Sequence, residues 1–118
     1  MAAGLQVLEL GSNRIRSIEG LEPLRALREL WLGRNRIAAI EGLPPLPALQ
    51  RLSLQSNRLV STAGLQGCTA LQELYLSHNG IQRLEGLEAL TGLKILDASN
   101  NRIASLEGLA SLSQVRWL

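Results

Sequence analysis

The sequence contains no phenylalanine, two tryptophans and a single tyrosine in 118 residues. Large aromatic rings normally supply much of the buried area of a globular core. A core made without them must come from aliphatic side chains, and 46% of the chain is hydrophobic. That combination points to a uniform layer used many times over. Cys68 is the only cysteine, which excludes an internal disulfide and a cysteine-based metal site and fits a reducing compartment. Neither sign of charge dominates: 12 basic and 10 acidic residues leave a net charge of +2. The pI of about 9.3 reflects a thin excess of arginine, and the balance predicts no nucleic-acid partner. No run of 18 uncharged apolar residues is present, so no membrane-spanning helix is expected. The opening Met1-Ala2-Ala3-Gly4 has no basic segment leading into an apolar run, and no signal peptide is read there.

What the chain does have is a period. Asn13, Asn35, Asn57, Asn79 and Asn101 lie 22 residues apart. Aligned on them, the frame is Leu-x-x-Leu-x-Leu-x-x-Asn-x-Ile/Leu. Its apolar positions are Leu5, Leu8, Leu10 and Ile15 in the first repeat, and Leu27, Leu30, Leu32 and Ile37 in the second. They are Leu49, Leu52, Leu54 and Leu59 in the third, and Leu71, Leu74, Leu76 and Ile81 in the fourth. The fifth has Leu93, Leu96, Ala98 and Ile103, with Ala98 replacing a leucine. In Leu-x-Leu the two leucines share one face of a short strand and the middle residue faces the other way. Successive strands then stack in parallel with their leucines inside. The asparagine ends each strand where the chain turns inward, and its amide can satisfy turn N–H and C=O groups that no strand neighbour reaches. The five asparagines therefore predict a structural ladder.

After the ladder position the spacing changes to three, as in Ile18, Leu21, Leu24 and Leu84, Leu87, Leu90. A period of three suits 3₁₀ geometry, and Pro44, Pro45 and Pro47 oppose a regular α-helix in repeat two. Short 3₁₀ turns and extended chain are expected on the convex side. Gly20, Gly42, Gly64, Gly86 and Gly108 recur in step and are read as allowing a tight backbone path. Thr62 stands where other repeats have Ile or Leu, and Cys68 where they have Leu; both are read as filling a small, apolar-tolerant slot. The expected architecture is an α/β leucine-rich-repeat solenoid over residues 1–118. It has a parallel β-sheet on the concave face and about five repeats. Both terminal polar caps are missing from the frame, and it breaks off at Val115-x-x-Leu118 in a sixth strand, as a fragment of a longer solenoid would.

Chemistry-bearing residues are scarce. His78 is the single histidine, and its neighbour Ser77 in sequence does not make a catalytic dyad. The glycines follow the repeat rather than a phosphate loop, and no His/Asp/Glu group has metal-ligand spacing. No catalytic residue, metal, cofactor or small-molecule substrate is expected. Arg14, Arg36, Arg58 and Arg102 each follow a ladder asparagine, and Glu19, Glu41, Glu85 and Glu107 form a second register five residues on. These rows read as a mixed-charge solvated edge; a basic stripe for an anionic partner is the alternative, opposed by the acidic row.

Solenoids bind through their concave faces. The central outward strand position holds Glu9, Trp31, Ser53, Tyr75 and Asp97, and the position two before it holds Val7, Glu29, Arg51, Glu73 and Ile95. Trp and Tyr are common interface anchors. With Glu9, Glu29, Glu73 and Asp97 around them, the face leans acidic. Glu9, Trp31, Asp97, Tyr75, Ser53, Glu29 and Glu73 are the candidate partner-binding residues.

The element Ile-x-x-Ile-Glu-Gly-Leu at Ile15 to Leu21, the run from Leu8 to Arg16, Gln55-Ser-Asn-Arg-Leu59 and the run from Glu73 to Ile81 resemble the protein phosphatase-1 regulatory subunit 7 family over nearly the whole chain. That resemblance implies a non-catalytic nuclear and cytoplasmic protein that binds the phosphatase-1 catalytic subunit through its concave face. Glu9 and Asp97 match the family's contact positions in type, Trp31 stands where the family has Phe, and one acidic contact position falls at Trp117. Leucine-rich adaptors of the spliceosomal or axonemal type are the alternative.

Overall fold

In a computed structural model the described residues are 2–109, 112 and 116–117. Each 22-residue frame contributes one short strand: β1 (Val7–Glu9), β2 (Glu29–Trp31), β3 (Arg51–Ser53), β4 (Glu73–Tyr75) and β5 (Ile95–Asp97). Together with β6 (Arg116–Trp117) they form one parallel sheet in sequence order. The register is in phase, with Leu8 opposite Leu30, Leu30 opposite Leu52, Leu52 opposite Leu74 and Leu74 opposite Leu96. The ladder continues beyond each strand: the amide of Leu32 donates to the Ser53 carbonyl at 2.8 Å, and that of Leu54 to Tyr75 at 2.8 Å.

The last strand departs from the frame. Leu96 pairs with Trp117 and Ile95 with Arg116, a step of 21 residues instead of 22. The backbone register thus puts Trp117 in the row of central strand residues headed by Leu8, not in the contact row where the 22-residue frame placed it. Val115 and Leu118, which that frame assigned to the sixth strand, lie outside the described residues.

Leucine and isoleucine fill the interior. Leu30, Leu52, Leu54, Leu59, Leu74, Leu76 and Ile81 are wholly buried, and so are Leu27, Leu49 and Leu71 before the strands. Equivalent positions of successive repeats stack on one another, so aliphatic side chains of similar size pack the layers and no large ring is needed. Ala98 is half-buried where Leu54 and Leu76 are wholly enclosed.

The asparagine ladder knits the repeats together. Asn57 Nδ2 donates to the carbonyls of Leu32 and Leu54, each at 3.0 Å, while its Oδ1 accepts from the amide of Ile37 at 3.0 Å. Asn35, Asn79 and Asn101 bond in the same way to their own strand ends and to the repeat before. The residue preceding each ladder asparagine takes the left-handed conformation: Ser12, Arg34, Ser56, His78 and Asn100 have φ between 56° and 59°. For non-glycine residues this costs free energy. Inter-repeat bonds hold it in place, such as the Arg34 amide to the Gln55 carbonyl at 2.9 Å. The repeat spacing alone did not reveal this strained corner.

On the convex side the three-residue spacing becomes a string of i→i+3 hydrogen bonds. The Leu24 amide donates to Leu21 and the Leu27 amide to Leu24; Leu90 and Leu93 repeat the pattern with Leu87 and Leu90. In repeat two, Leu43 bonds to Ile40 and Leu49 to Leu46, on either side of Pro44 and Pro45. No α-helix occurs among the described residues. The periodic glycines all have positive φ. At Gly42 a methyl group would lie 2.1 Å from the Ile18 carbonyl oxygen, so the backbones of adjacent repeats touch there.

Two substitutions in the frame behave differently. Cys68 is buried among the leucines as a small apolar side chain, and burial raises its thiol pKa. Thr62 is also fully buried, but it does not occupy an apolar slot. Its Oγ1 donates to the Glu85 carbonyl at 2.5 Å and accepts from the Glu85 amide at 2.7 Å. The hydroxyl links repeats three and four beside a bridge between Ser61 and Arg83 that extends parallel pairing onto the convex side.

Candidate protein-binding face

The outward residues of β2, β3 and β4 meet across the sheet because in-phase parallel strands put equivalent positions side by side. Glu29, Arg51 and Glu73 form one such row. Arg51 Nη1 lies 3.0 Å from Glu29 Oε2, and its Nε lies 3.0 Å from Glu73 Oε2. One guanidinium thus clamps two carboxylates from both sides. The parallel row two residues on is Trp31, Ser53 and Tyr75. Trp31 Nε1 donates to Glu29 Oε1 at 3.1 Å, and the Tyr75 hydroxyl donates to Glu73 Oε1 at 2.5 Å.

The two rings complete a circuit. Trp31 and Tyr75 stand on strands roughly 9.6 Å apart, two inter-strand spacings. They lean toward each other until their centroids are 6.4 Å apart, with planes at 19°. Such an offset stack is worth about 0.5–1.5 kcal/mol. Ser53 lies between them on β3 and is only 3% exposed. Flanked in register by Trp31 and Tyr75, Ser53 offers a partner almost no surface of its own and only borders the depression beside Trp31.

Electrostatics follow from this geometry. The Tyr75 hydroxyl first, and Arg51 second, hold the Glu73 carboxyl below its usual range. The hydrogen bond to Glu73, helped by partial burial, pushes the Tyr75 hydroxyl up to about 12. The bond to Glu73 is also the largest of the effects that raise the Arg51 pKa. The ion pairs are partly exposed and screened by solvent, so they add little to stability. Their effect is geometric: they fix the rotamers of two aromatic side chains on an open face. They also reduce the acidity expected of the centre, because Arg51 faces both Glu29 and Glu73. Sequence reading placed Arg51 in the row without a role; the alternation Glu29, Arg51, Glu73 at 22-residue spacing is the signal for the clamp.

The outer acids are held separately. Glu9 Oε1 accepts from the Gly11 amide at 2.6 Å, and Asp97 Oδ1 accepts from the amide and hydroxyl of Ser99 at 3.1 and 2.8 Å. Each carboxylate caps the bend that follows its strand. A shallow depression beside Trp31 is bordered by Glu9, Ser12, Arg34, Ser53 and Gln55, among others. His78 is exposed with its ring 3.4 Å from Asn100 Nδ2, whereas the adjacent Ser77 is buried. No group of three or more His, Cys, Asp or Glu able to hold a metal ion occurs among the described residues.

The chain matches the family model for leucine-rich repeats (two copies) over residues 4–45, 47–88 and 69–111. No curated protein matches it. Among solved structures, an internalin (inlF) from Listeria monocytogenes superposes with a TM-score of 0.84 at 31% identity, over 98% of this chain and 34% of that one. The APL1 leucine-rich repeat domain gives 0.84 at 26% identity, over 96% of this chain and 32% of that one. A chain of the TLR13–ssRNA13 complex gives 0.84 at 28% identity, over 94% and 17%. This chain therefore spans about a third or less of each of those structures. The 22-residue frame, the in-phase parallel sheet and the match along nearly all of the sequence place the chain in the leucine-rich repeat family.

Proposed function

We propose that this chain is a non-catalytic protein-binding module whose concave face seats a partner over the Trp31–Tyr75 pair. The observation that carries the reading is that pair: two large rings stacked on an open sheet and fixed by hydrogen bonds to a salt-bridged frame. Aromatic anchors whose rotamers are already fixed lose little entropy on binding, and Trp and Tyr dominate interface hot spots. Glu9 and Asp97 flank the anchors, with Glu29 and Glu73 beneath them. The partner proposed is the catalytic subunit of protein phosphatase-1, in nucleus and cytoplasm. It rests on the resemblance of the runs at Leu8 to Arg16 and Glu73 to Ile81 to the phosphatase-1 regulatory subunit 7 family, and on the type match at Glu9, Trp31 and Asp97.

Calorimetry of the chain against purified phosphatase-1 catalytic subunit tests the partner, with Trp31→Ala alongside. The expected result is saturable binding weakened by about 2 kcal/mol or more in the variant, roughly 30-fold in affinity. A folded chain that does not bind would set the phosphatase aside and direct the search to other partners of the same face. Binding that Trp31→Ala leaves unchanged would remove the aromatic pair from the anchor role.

A further inference from the structure

The strand-exit edge of the solenoid carries charge of one sign. The stretches 12–16, 34–38, 56–60, 78–82 and 100–104, each centred one residue past the ladder asparagine, contain six arginines and no aspartate or glutamate. The remaining 93 residues hold the other six basic residues and all ten acidic ones. A net charge near zero thus conceals a strongly basic edge on an otherwise acidic molecule.

The fold aligns these arginines. The amide of Arg36 donates to the Ile15 carbonyl and that of Arg58 to the Ile37 carbonyl, each at 2.8 Å, so Arg14, Arg36 and Arg58 occupy equivalent places in successive repeats. Each stands between an asparagine turned into the ladder and an Ile or Leu turned into the core, and points outward. Arg16 and Arg34 flank the row; Arg14, Arg16, Arg34 and Arg58 are exposed and Arg36 is half-buried. The acidic register of Glu19, Glu41, Glu85 and Glu107 does not neutralise them: the ion pairs among the described residues both belong to Arg51 on the concave face. Like charges stacked at roughly 4.8 Å repel one another, so the row is stabilised by whatever anion lies along it.

We propose that this edge binds an acidic, carboxylate-bearing segment of a protein, laid along the solenoid axis over Arg14, Arg36 and Arg58. Guanidinium forks pair bidentately with carboxylates. Acidic side chains one helical turn apart are spaced by about 5–6 Å, close to the inter-repeat spacing of about 4.8 Å. A single-stranded nucleic acid would want aromatic platforms beside the charges, and these five stretches contain no Trp or Tyr. Arg34 also borders the depression beside Trp31, but Arg14, Arg36 and Arg58 do not, so occupancy of the row is tested apart from the partner proposed there.

The test is fluorescence anisotropy of the full chain with labelled oligoglutamate and, at equal charge, oligouridylate, at low and physiological salt. Arg14→Gln/Arg36→Gln/Arg58→Gln removes the row. Arg14→Gln/Arg16→Gln/Arg58→Gln leaves Arg36 in place and removes the same charge from the edge at exposed positions only. Arg25→Gln/Arg28→Gln/Lys94→Gln removes the same charge elsewhere, also at exposed positions. The expected result is saturable, salt-sensitive oligoglutamate binding, weakened about tenfold by either edge variant, as the loss of three solvent-accessible ion pairs implies. The control is expected to weaken it less than about twofold. Equal losses in edge and control variants, tighter binding of oligouridylate than of oligoglutamate, or no saturable binding would each overturn the proposal.

Discussion

Gly42 and Gly86 occupy the same place in their repeats, and comparing them separates two costs that usually arrive together. Both have positive φ, 90° and 71°, so alanine at either loses about 1–2 kcal/mol to backbone conformation. Their surroundings differ. A Cβ on Gly42 would sit 2.1 Å from the Ile18 carbonyl oxygen, a backbone atom that no rotamer change can move. A Cβ on Gly86 would find its nearest neighbour, Ala63 Cα, at an ordinary 3.7 Å. The wider gap is bordered by the Thr62 carbonyl at 4.0 Å, while the Thr62 hydroxyl holds repeats three and four together through Glu85. Gly86→Ala is expected to cost only the conformational term. Gly42→Ala adds the overpacking cost of about 1–3 kcal/mol, for a total of about 2–5 kcal/mol. Urea unfolding followed by circular dichroism measures both, and the midpoint of Gly42→Ala should fall well below that of Gly86→Ala. Equal midpoints would show that the inter-repeat backbone contact does not exist or is relieved at no cost.

Three further outcomes follow from named contacts. Thr62→Val keeps the volume but strands the amide and carbonyl of Glu85, and should lower stability by about 1–3 kcal/mol; a melting temperature unchanged by Val would restore the apolar-slot reading. Leu30→Ala empties a wholly buried position in the middle of the sheet and should cost about 2–5 kcal/mol, measured by the same unfolding experiment; no shift would contradict the strand register. Tyr75 is the only tyrosine, so its phenolate absorbance can be titrated without interference. The midpoint should lie near 12 and return toward about 10 in Glu73→Gln. A hydroxyl acid with a raised pKa stabilises the fold fully below its unfolded value and loses that contribution as pH climbs through its folded one. The Tyr75 contribution therefore disappears in strongly alkaline solution. Glu73, with its pKa lowered, contributes above its unfolded value and loses that as pH falls through its folded one. A wild-type midpoint near 10 would show that the Tyr75–Glu73 bond is not made.

The sequence by itself determined the architecture. A 22-residue spacing of asparagines, with leucines at fixed offsets, admits one arrangement in which every leucine is buried and every amide has a turn to satisfy. The strand positions, ladder and concave rows could be read from it because each repeat solves the same local problem. Three things were settled only by neighbouring repeats. Thr62 carries the same letter in an apolar slot or a hydrogen bond, and the backbone of Glu85 decides which. Arg51 and Ser53 are adjacent outward positions until stacking makes one a clamp between Glu29 and Glu73 and leaves the other buried in the row between Trp31 and Tyr75. The final strand slips by one residue, pairing Leu96 with Trp117, although the frame counts 22. In each case the deciding group lies about 20 residues away in the chain and one strand spacing away in space, and only the stacking of repeats brings it into contact.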